Sequence, residues 1–228
     1  AVVEGIRERT GLVVRPVYGL TETTGPTHVA LPDVETPVDP ATGALAVGLS
    51  VPGLTTRILS PEGEELAPGE QGEVAVRGPQ VVPGYWERPD ETAHAIHDGE
   101  LRTGDIGMVD EDGWLYIVDR KKDMIVASGF KVWPREVEDV LYEHPAVREA
   151  AVVGVPDSYR GETVWAYVSL HAGTSAEPED LIEYCKARMA AYKYPRRVVV
   201  LDELPKTLSG KILRRELRER AAAETTGR

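Results

Sequence analysis

Cysteine is nearly absent from this chain of 228 residues. Its one thiol, Cys185, excludes an internal disulfide framework and fits a reducing compartment, so a cytoplasmic location is expected. That thiol lies in LIEYCKARMA, a helical pattern in which it reads as a small apolar helix residue rather than a nucleophile. No apolar run reaches about 18 residues, so no transmembrane segment is expected, and no signal-peptide pattern stands at the start. Repeats and low-complexity tracts are missing as well. Positive charge is scarce: 26 Lys/Arg against 38 Asp/Glu give a formal net charge of −12, which argues against general nucleic-acid binding.

What is present suits a soluble globular protein. Hydrophobic residues make up 42% and charged residues 28%, and the length allows one large or two small domains. The charge is uneven. Between Lys186 and Arg220 there are 11 Lys/Arg against 4 Asp/Glu, a local +7 that leaves −19 for the remainder. A basic segment on an acidic protein suits an anionic small ligand such as a polyphosphate. The competing explanation is a helix with i,i+4 charge pairs such as Arg215–Glu219. A basic terminal helix can serve peripheral contact with a membrane surface, but this one lacks the large apolar face that such binding needs.

Organisation changes along the chain. Leu31–Gly43 is rich in proline and acid and predicts a surface loop. From Val47 to Asp119 short apolar runs (TTRIL, GEVAVRG, IGMVD, WLYIVD) alternate with Gly/Pro/Asp turns. They predict small antiparallel β-structure with a hairpin at Glu111–Gly113. Beyond Asp119, MIVAS and FKVW flank Gly129 as a second hairpin. Pro134 then opens a helix with Val137, Val140 and Leu141 on one face. Two buried strands follow (AVREAAVVGV, ETVWAYVSL), then a helix over about 178–189, a strand RRVVVL and a charged terminal helix. The rhythm is that of a small α+β domain, with its boundary near Lys122.

Four short motifs carry chemistry: YGLTETTG (Tyr18–Gly25), LRTGD (Leu101–Asp105), DRKKDMIVASG (Asp119–Gly129) and PKTLSGK (Pro205–Lys211). In the first, an apolar run ends in a turn that offers an aromatic face, hydroxyls and a carboxylate. A threonine there can meet a phosphate and a glutamate can meet Mg²⁺, which prefers hard oxygen ligands; alternatively Thr21 is only a helix N-cap. Asp105 follows Gly104, which permits close backbone approach, and one carboxylate can accept both vicinal hydroxyls of a ribose. Alternatively it is an ordinary turn aspartate. PKTLSGK is not a Walker loop, because Pro205 stands where glycine is required and Ile212 where Ser/Thr is.

In order and spacing these motifs resemble the adenylate-forming superfamily of acyl-CoA synthetases, peptide-synthetase adenylation domains and luciferases. The resemblance covers nearly the whole chain. It implies an α+β protein: the distal β-rich subdomain of a large N-terminal domain (residues 1–121), then a small mobile α+β C-terminal domain (122–228). The superfamily's Ser/Thr/Gly-rich phosphate loop precedes the first motif and is not in this sequence. The expectation is therefore the C-terminal part of a larger enzyme, inactive in isolation.

The resemblance also implies roles. Tyr18, with Gly19 in the same turn, would pack on adenine, Thr21 would contact the α-phosphate, and Glu22 would hold Mg²⁺. Asp105 would hold the ribose with support from Arg120. Lys122 would be the hinge, and Gly129 would line the channel that admits pantetheine, although a hairpin turn would select glycine too. Lys211 would be the catalytic lysine, sharing with Thr21 and Glu22 the charge that develops at phosphorus. Tyr159 would lie against the CoA adenine, and Tyr192 and Arg196 would contact CoA, with ordinary packing an alternative for the tyrosines. GYWERPDET (Gly84–Thr92) matches the superfamily as scaffolding. The implied activity uses ATP, Mg²⁺ and coenzyme A to activate a small-molecule carboxylic acid. The wording around the third motif favours a medium- or long-chain fatty acid, with aryl-acid, short-dicarboxylate and fatty-acyl-AMP ligases open.

Overall fold

The structure is a computed structural model that describes residues 2–40, 43–208 and 210–226. Ala41 and Thr42 of the Pro-rich loop and Ser209 of the PKTLSGK motif lie outside them. The chain divides into two compact units, Ala1–Lys121 and Lys122–Arg228. The α+β class expected from the sequence is the class observed.

The first unit opens with helix α1 (Val2–Thr10) and continues through β1 (Val17–Gly19), β2 (Pro26–Val29), β3 (Ala46–Ser50), β4 (Thr55–Leu59) and β5 (Gly72–Arg77). Helix α2 (Pro89–Ala95), β6 (Ile96–His97), β7 (Glu100–Val109) and β8 (Trp114–Arg120) complete it. The strands form one sheet in the order β1-β2-β3-β8-β7-β5-β4, with β6 beside β7 and every pairing antiparallel. The predicted hairpin joins β7 to β8: Asp110 Oδ1 accepts from the amides of Asp112 and Trp114 at 3.1 and 2.8 Å, and the Gly113 amide bonds the Asp110 carbonyl. Helices α1 and α2 had no counterpart in the sequence reading. α2 is short and buries no residue, so it leaves no apolar stripe to read.

The second unit contains the hairpin β9 (Ile125–Ala127) and β10 (Phe130–Val132), α3 (Pro134–Tyr142), β11 (Val147–Asp157), β12 (Gly161–Leu170), α4 (Pro178–Lys186), β13 (Arg197–Val200) and α5 (Arg214–Thr226). β11 and β12 pair antiparallel over their whole length, from Val147↔Leu170 to Asp157↔Gly161. β9 joins the beginning of β12 through Gly161↔Ala127, and β13 runs parallel to β12 from Trp165 to Val168. This sheet is buried on both faces, which is why its central strands are continuous apolar runs. Val152, Val164, Ala166 and Val168 face α3 and α4, packed with Val137, Leu141, Leu181 and Cys185. Ala151, Val153, Trp165 and Tyr167 face α5 through Leu217 and Ala221. The Cys185 thiol is fully buried and its pKa rises to about 11, as expected of a core residue and not of a nucleophile.

Helix α4 stops at Lys186, three residues short of the expected end. The chain tightens there, with the Arg188 and Met189 amides both bonding the Cys185 carbonyl. In α3, Val137 and Leu141 are fully buried and Val140 partly, as the pattern predicted. Leu141→Ala should therefore lower the unfolding free energy by about 2–5 kcal/mol, the usual cost of emptying a buried leucine site. Urea unfolding of the chain followed by far-UV circular dichroism measures this, and a midpoint close to wild type would mean that α3 is not clamped on the sheet.

Candidate functional site

The first cluster forms where β1 meets the middle of the sheet. The Tyr18 hydroxyl donates to Asp105 Oδ2 at 2.7 Å, and Arg120 Nε lies 3.5 Å from Asp105 Oδ1. Asp105 on β7 and Arg120 on β8 are direct register partners, so the ladder itself brings acid and base together. Asp105 is only 7% exposed, and the Thr103 hydroxyl accepts its amide at 3.1 Å. Burial and the adjacent carboxylate push the Tyr18 phenol well above its ordinary pKa, so it is a permanent donor here. Both oxygens of Asp105 already have a partner, but a carboxylate has about four lone-pair sites, and two remain for further donors.

Gly104 has a different role from the one expected. A Cβ there would meet nothing within 4 Å; the residue has φ of +70°, and that conformation, not close approach, is what selects glycine. Close approach is instead the constraint at Gly19, where an added Cβ would stand 2.5 Å from the Gly25 carbonyl oxygen. The segment between these glycines folds back on itself as a 3₁₀ turn, Thr21–Thr23. Thr21 is not its cap. Leu20 holds that position, and buried Thr23 satisfies the turn by accepting the Leu20 amide at 3.0 Å, with the Leu20 and Gly25 carbonyls both 2.9 Å from its hydroxyl. Thr21 is left exposed, its side chain available to a ligand.

Glu22 is half-buried and fixed twice: its carbonyl accepts the Val82 amide at 2.9 Å, and its Oε1 accepts the Tyr85 hydroxyl at 2.6 Å. That hydrogen bond, ahead of burial, raises the Tyr85 pKa to about 12, so the phenol stays protonated. Tyr85 was missed as a site residue. It lies in GYWERPDET, read as scaffolding, and nothing in that segment's pattern says that its hydroxyl reaches a glutamate 63 residues away. As a magnesium ligand Glu22 fits in kind, being a hard carboxylate oriented by one of its oxygens. Among the described residues no group of three or more His, Cys, Asp or Glu could hold a metal alone. An ion here would complete its shell with phosphate and water oxygens, as Mg²⁺ usually does.

In the second unit the candidate residues fall at two ends of one strand. Gly129 follows Ser128 at the tip of the β9–β10 hairpin, with φ of 81° and 54°, the positive pair of a type I′ turn. The turn alone accounts for glycine, and the space a side chain would enter is open for 4 Å. The Ser128 amide bonds the Arg160 carbonyl at 2.8 Å, which fixes the hairpin beside the turn between β11 and β12. Tyr159 in that turn is 87% exposed, with the Arg160 guanidinium 5.8 Å from its ring centre. Tyr192 stacks on Phe130 at 4.5 Å, and the Arg196 guanidinium lies 3.7 Å over the Tyr194 ring. Arg196 has a lowered pKa, first through burial and then through the charge of Arg160. An anion here would relieve that repulsion. Arg160 and Phe130 were also missed; only their neighbourhood to Tyr159 and Gly129 in sequence hinted at them.

Lys211 occupies the far side of the same domain. Its loop is closed by the Lys206↔Ile212 bridge and by the Leu213 amide on the Pro205 carbonyl at 2.8 Å. Lys206 ties the loop to Glu149, at the beginning of β11, at 2.7 Å. Gly129 is tied to the end of β11, near Asp157, about 26 Å away at the usual strand rise. Lys122 is exposed in a 3₁₀ turn, Lys121–Asp123, at the division between the two units.

The basic segment is not the open anion surface its charge suggested. Eight of its 11 bases are ion-paired: Lys186, Lys193, Arg197, Lys206, Arg214, Arg215, Arg218 and Arg220. Arg188 and Arg196 lie over tyrosine rings. Lys211 is exposed and pairs with no carboxylate among the described residues.

Beneath Tyr18, His28 is 1% exposed, with its ring 5.9 Å from the tyrosine ring. Its Nδ1 and Nε2 lie 3.0 Å from the Thr27 and Thr56 hydroxyls. Thr27 gives its proton to the Tyr18 carbonyl at 3.2 Å, so it accepts from Nδ1–H while Thr56 donates to Nε2. Burial pushes the His28 pKa down to about 4. The folded chain therefore excludes a proton that the unfolded chain binds near pH 6.5, and the stability held above that pH is lost as pH falls toward 4. Between pH 7 and pH 5 the expected loss from this group is about 2 kcal/mol. Urea unfolding at both pH values, compared with His28→Gln, measures it; equal pH slopes would mean that His28 is not held neutral.

Two family models match the chain in order: AMP-binding enzyme over residues 1–86 and AMP-binding enzyme C-terminal domain over residues 136–211. The chain is 53% identical over 175 residues to a long-chain-fatty-acid–CoA ligase of Bacillus subtilis, covering 76% of this chain and 31% of that protein. It is 41% identical over 217 residues to a 2-succinylbenzoate–CoA ligase of Geobacillus kaustophilus, covering 95% and 43%. The crystal structure of ATP-bound MatB from Rhodopseudomonas palustris superposes with a TM-score of 0.87 at 34% identity, covering 96% of this chain and 42% of that one. The chain thus spans about a third to two-fifths of the length of the curated relatives it matches. With both family models matched in order and the fold shared at this level of identity, the chain belongs to the adenylate-forming superfamily.

Proposed function

We propose that this chain supplies the nucleotide-gripping edge and the lysine-bearing unit of an AMP-forming ligase that activates a carboxylic acid as acyl-adenylate and transfers it to CoA. The observation that carries this reading is the buried Asp105 carboxylate, held between Tyr18 and Arg120 next to the turn that carries Thr21 and Glu22. A ribose can bond the two remaining acceptor sites of Asp105 while an adenine lies against Tyr18, which leaves the phosphates over Thr21. Glu22 would hold Mg²⁺, which when bound neutralises charge on the phosphates.

In the first half-reaction the substrate carboxylate oxygen forms a bond to the α-phosphorus of ATP, and the bond from that phosphorus to pyrophosphate breaks. Lys211 suits the charge that develops, since it is the one base of its segment with neither an ion pair nor an aromatic partner among the described residues. In the second, the CoA sulfur bonds the acyl carbon and AMP leaves. Gly129 would border the thiol's approach, with Tyr159, Tyr192 and Arg196 on CoA. Lys211 and Gly129 are anchored at opposite ends of β11, so one placement of this domain cannot present both to one adenylate. A rotation about Lys122 would exchange them.

The relative at 53% identity supports a medium- or long-chain fatty acid as substrate. The 2-succinylbenzoate relative supports a second reading, an aryl-acid CoA ligase. To separate them, the protein expressed from its complete reading frame is incubated with MgATP and a panel of aliphatic and aryl acids, and AMP release is followed with and without CoA. CoA-dependent turnover on aliphatic acids alone supports the fatty-acid reading; turnover on aryl acids alone replaces it. Adenylate that never turns over with CoA removes the thioester step. In the same protein Lys211→Ala should lower adenylation by about 100-fold or more, the scale of losing one group that stabilises transition-state charge. Thioester formation from supplied acyl-AMP should be spared. Gly129→Leu should do the reverse, and equal loss of both steps in either variant would sink the two-placement account.

A further inference from the structure

Asp123 stands one residue beyond Lys122 and is 6% exposed. Its Oδ1 pairs with Arg218 and its Oδ2 lies 3.7 Å from Arg214, both on the first turns of α5. Arg214 also reaches both oxygens of Glu138 on α3 at 2.7 Å. Glu138, itself 7% exposed, accepts the Val152 amide of β11 at 2.8 Å. Two carboxylates and two guanidiniums thus bind the beginning of the second unit, α3, β11 and α5 into one charge-balanced network. Arg214 and Arg218 are four residues apart and share a helix face, so Asp123 grips two successive turns at once. Lys211 lies three residues before Arg214, on a loop closed among the described residues by Thr207 amide to Lys211 carbonyl at 2.8 Å, Gly210 amide to Thr207 carbonyl at 2.9 Å, Lys211 amide to Thr207 hydroxyl at 3.1 Å, and Leu213 amide to Pro205 carbonyl at 2.8 Å.

We propose that Asp123 is a positioning residue for Lys211: by clamping the first turns of α5 to the segment that follows Lys122, it fixes the lysine loop to the hinge end of the domain. The part of this inference that concerns chemistry rests on the reading of Lys211 given above. The clamp itself does not. A buried acid that loses its charge leaves Arg218 without its counter-ion and Arg214 with Glu138 alone, and the uncompensated charge pushes α5 outward at its start. The core contacts of Leu217 and Ala221 hold the rest of the helix in place. The displacement therefore falls on the loop just before Arg214.

The test separates the two parts. Amide hydrogen exchange on this chain compares wild type with Asp123→Asn and with Arg218→Gln. Exchange about 10-fold faster or more at Gly210, Lys211 and Leu213, with protection retained along β11 and β12, supports the clamp. Unchanged exchange in the loop overturns it. Loss of protection throughout the sheet also overturns it, because the network would then hold the fold and not the loop. The protein expressed from its complete reading frame carries the second arm. There Asp123→Asn should slow adenylation by about 10-fold or more while thioester formation from supplied acyl-AMP changes by less than 2-fold. An equal slowing of both steps overturns the positioning role. A loosened loop with neither step altered would leave the clamp standing and overturn the assignment of Lys211 to adenylation.

Discussion

A carboxylate withdrawn from water has to be met by donors or carry a large desolvation cost, and among the described residues five are withdrawn: Glu100, Asp105, Asp119, Asp123 and Glu138, each 6–7% exposed. Each is met from another strand, helix or turn or from the next backbone amide. Arg57 crosses from β4 to Glu100 at 3.1 Å, Tyr18 and Arg120 converge on Asp105, and the Arg120 amide sits 2.7 Å from Asp119. Arg214 and Arg218 take Asp123 and Glu138. Removing one member of such a pair costs far more than the pair gains over an apolar substitute, so these contacts specify geometry more than they add stability. The candidate site uses them in that way. On the proposed reading, the nucleotide edge is aligned by the pair on β7 and β8, and the lysine loop is tied down by the pairs on α5.

The same constraint separates what the sequence revealed from what it did not. Short continuous apolar runs mark β4, β5, β11 and β12, the helical spacing of Val137, Val140 and Leu141 marks α3, and the hairpin at Gly129 announces itself through a glycine between two short apolar runs. The site motifs were legible only as motifs. Nothing in the local pattern says that Tyr85 reaches Glu22, that Arg160 stands beside Gly129, or that Asp123 answers to a helix 91–95 residues later. Those are long-range polar contacts with no periodic signature. α2 escaped for a related reason: it buries no side chain, so it leaves no stripe.

Conformation and close approach are equally hard to tell apart from a one-letter glycine. Gly19 and Gly104 both lie in motifs of the candidate site. One is required because backbone passes 2.5 Å from where a Cβ would be, the other because φ is +70° in open space. Their tolerance of substitution differs accordingly: an asparagine can adopt the conformation of Gly104 at modest cost, whereas no side chain fits at Gly19 unless the backbone at Gly25 and Pro26 moves.

Charge inventory, finally, misleads until pairing is known. A local net of +7 suggests a surface that concentrates polyphosphate, yet eight of the 11 bases are matched by acids drawn partly from within the segment and partly from α3, β11, α4, Asp123 and Glu224. Two more lie against tyrosine rings, which leaves them cationic but sterically committed. What remains is one ammonium group at the end of a short loop. A diffuse positive field would attract ATP, pyrophosphate and CoA alike and would stabilise bound reactants as much as the transition state. A single cation held on a rigid loop acts only where that loop is placed. On the proposed reading, Arg214 and Arg218 fix that placement and Lys211 is left to meet the ligand.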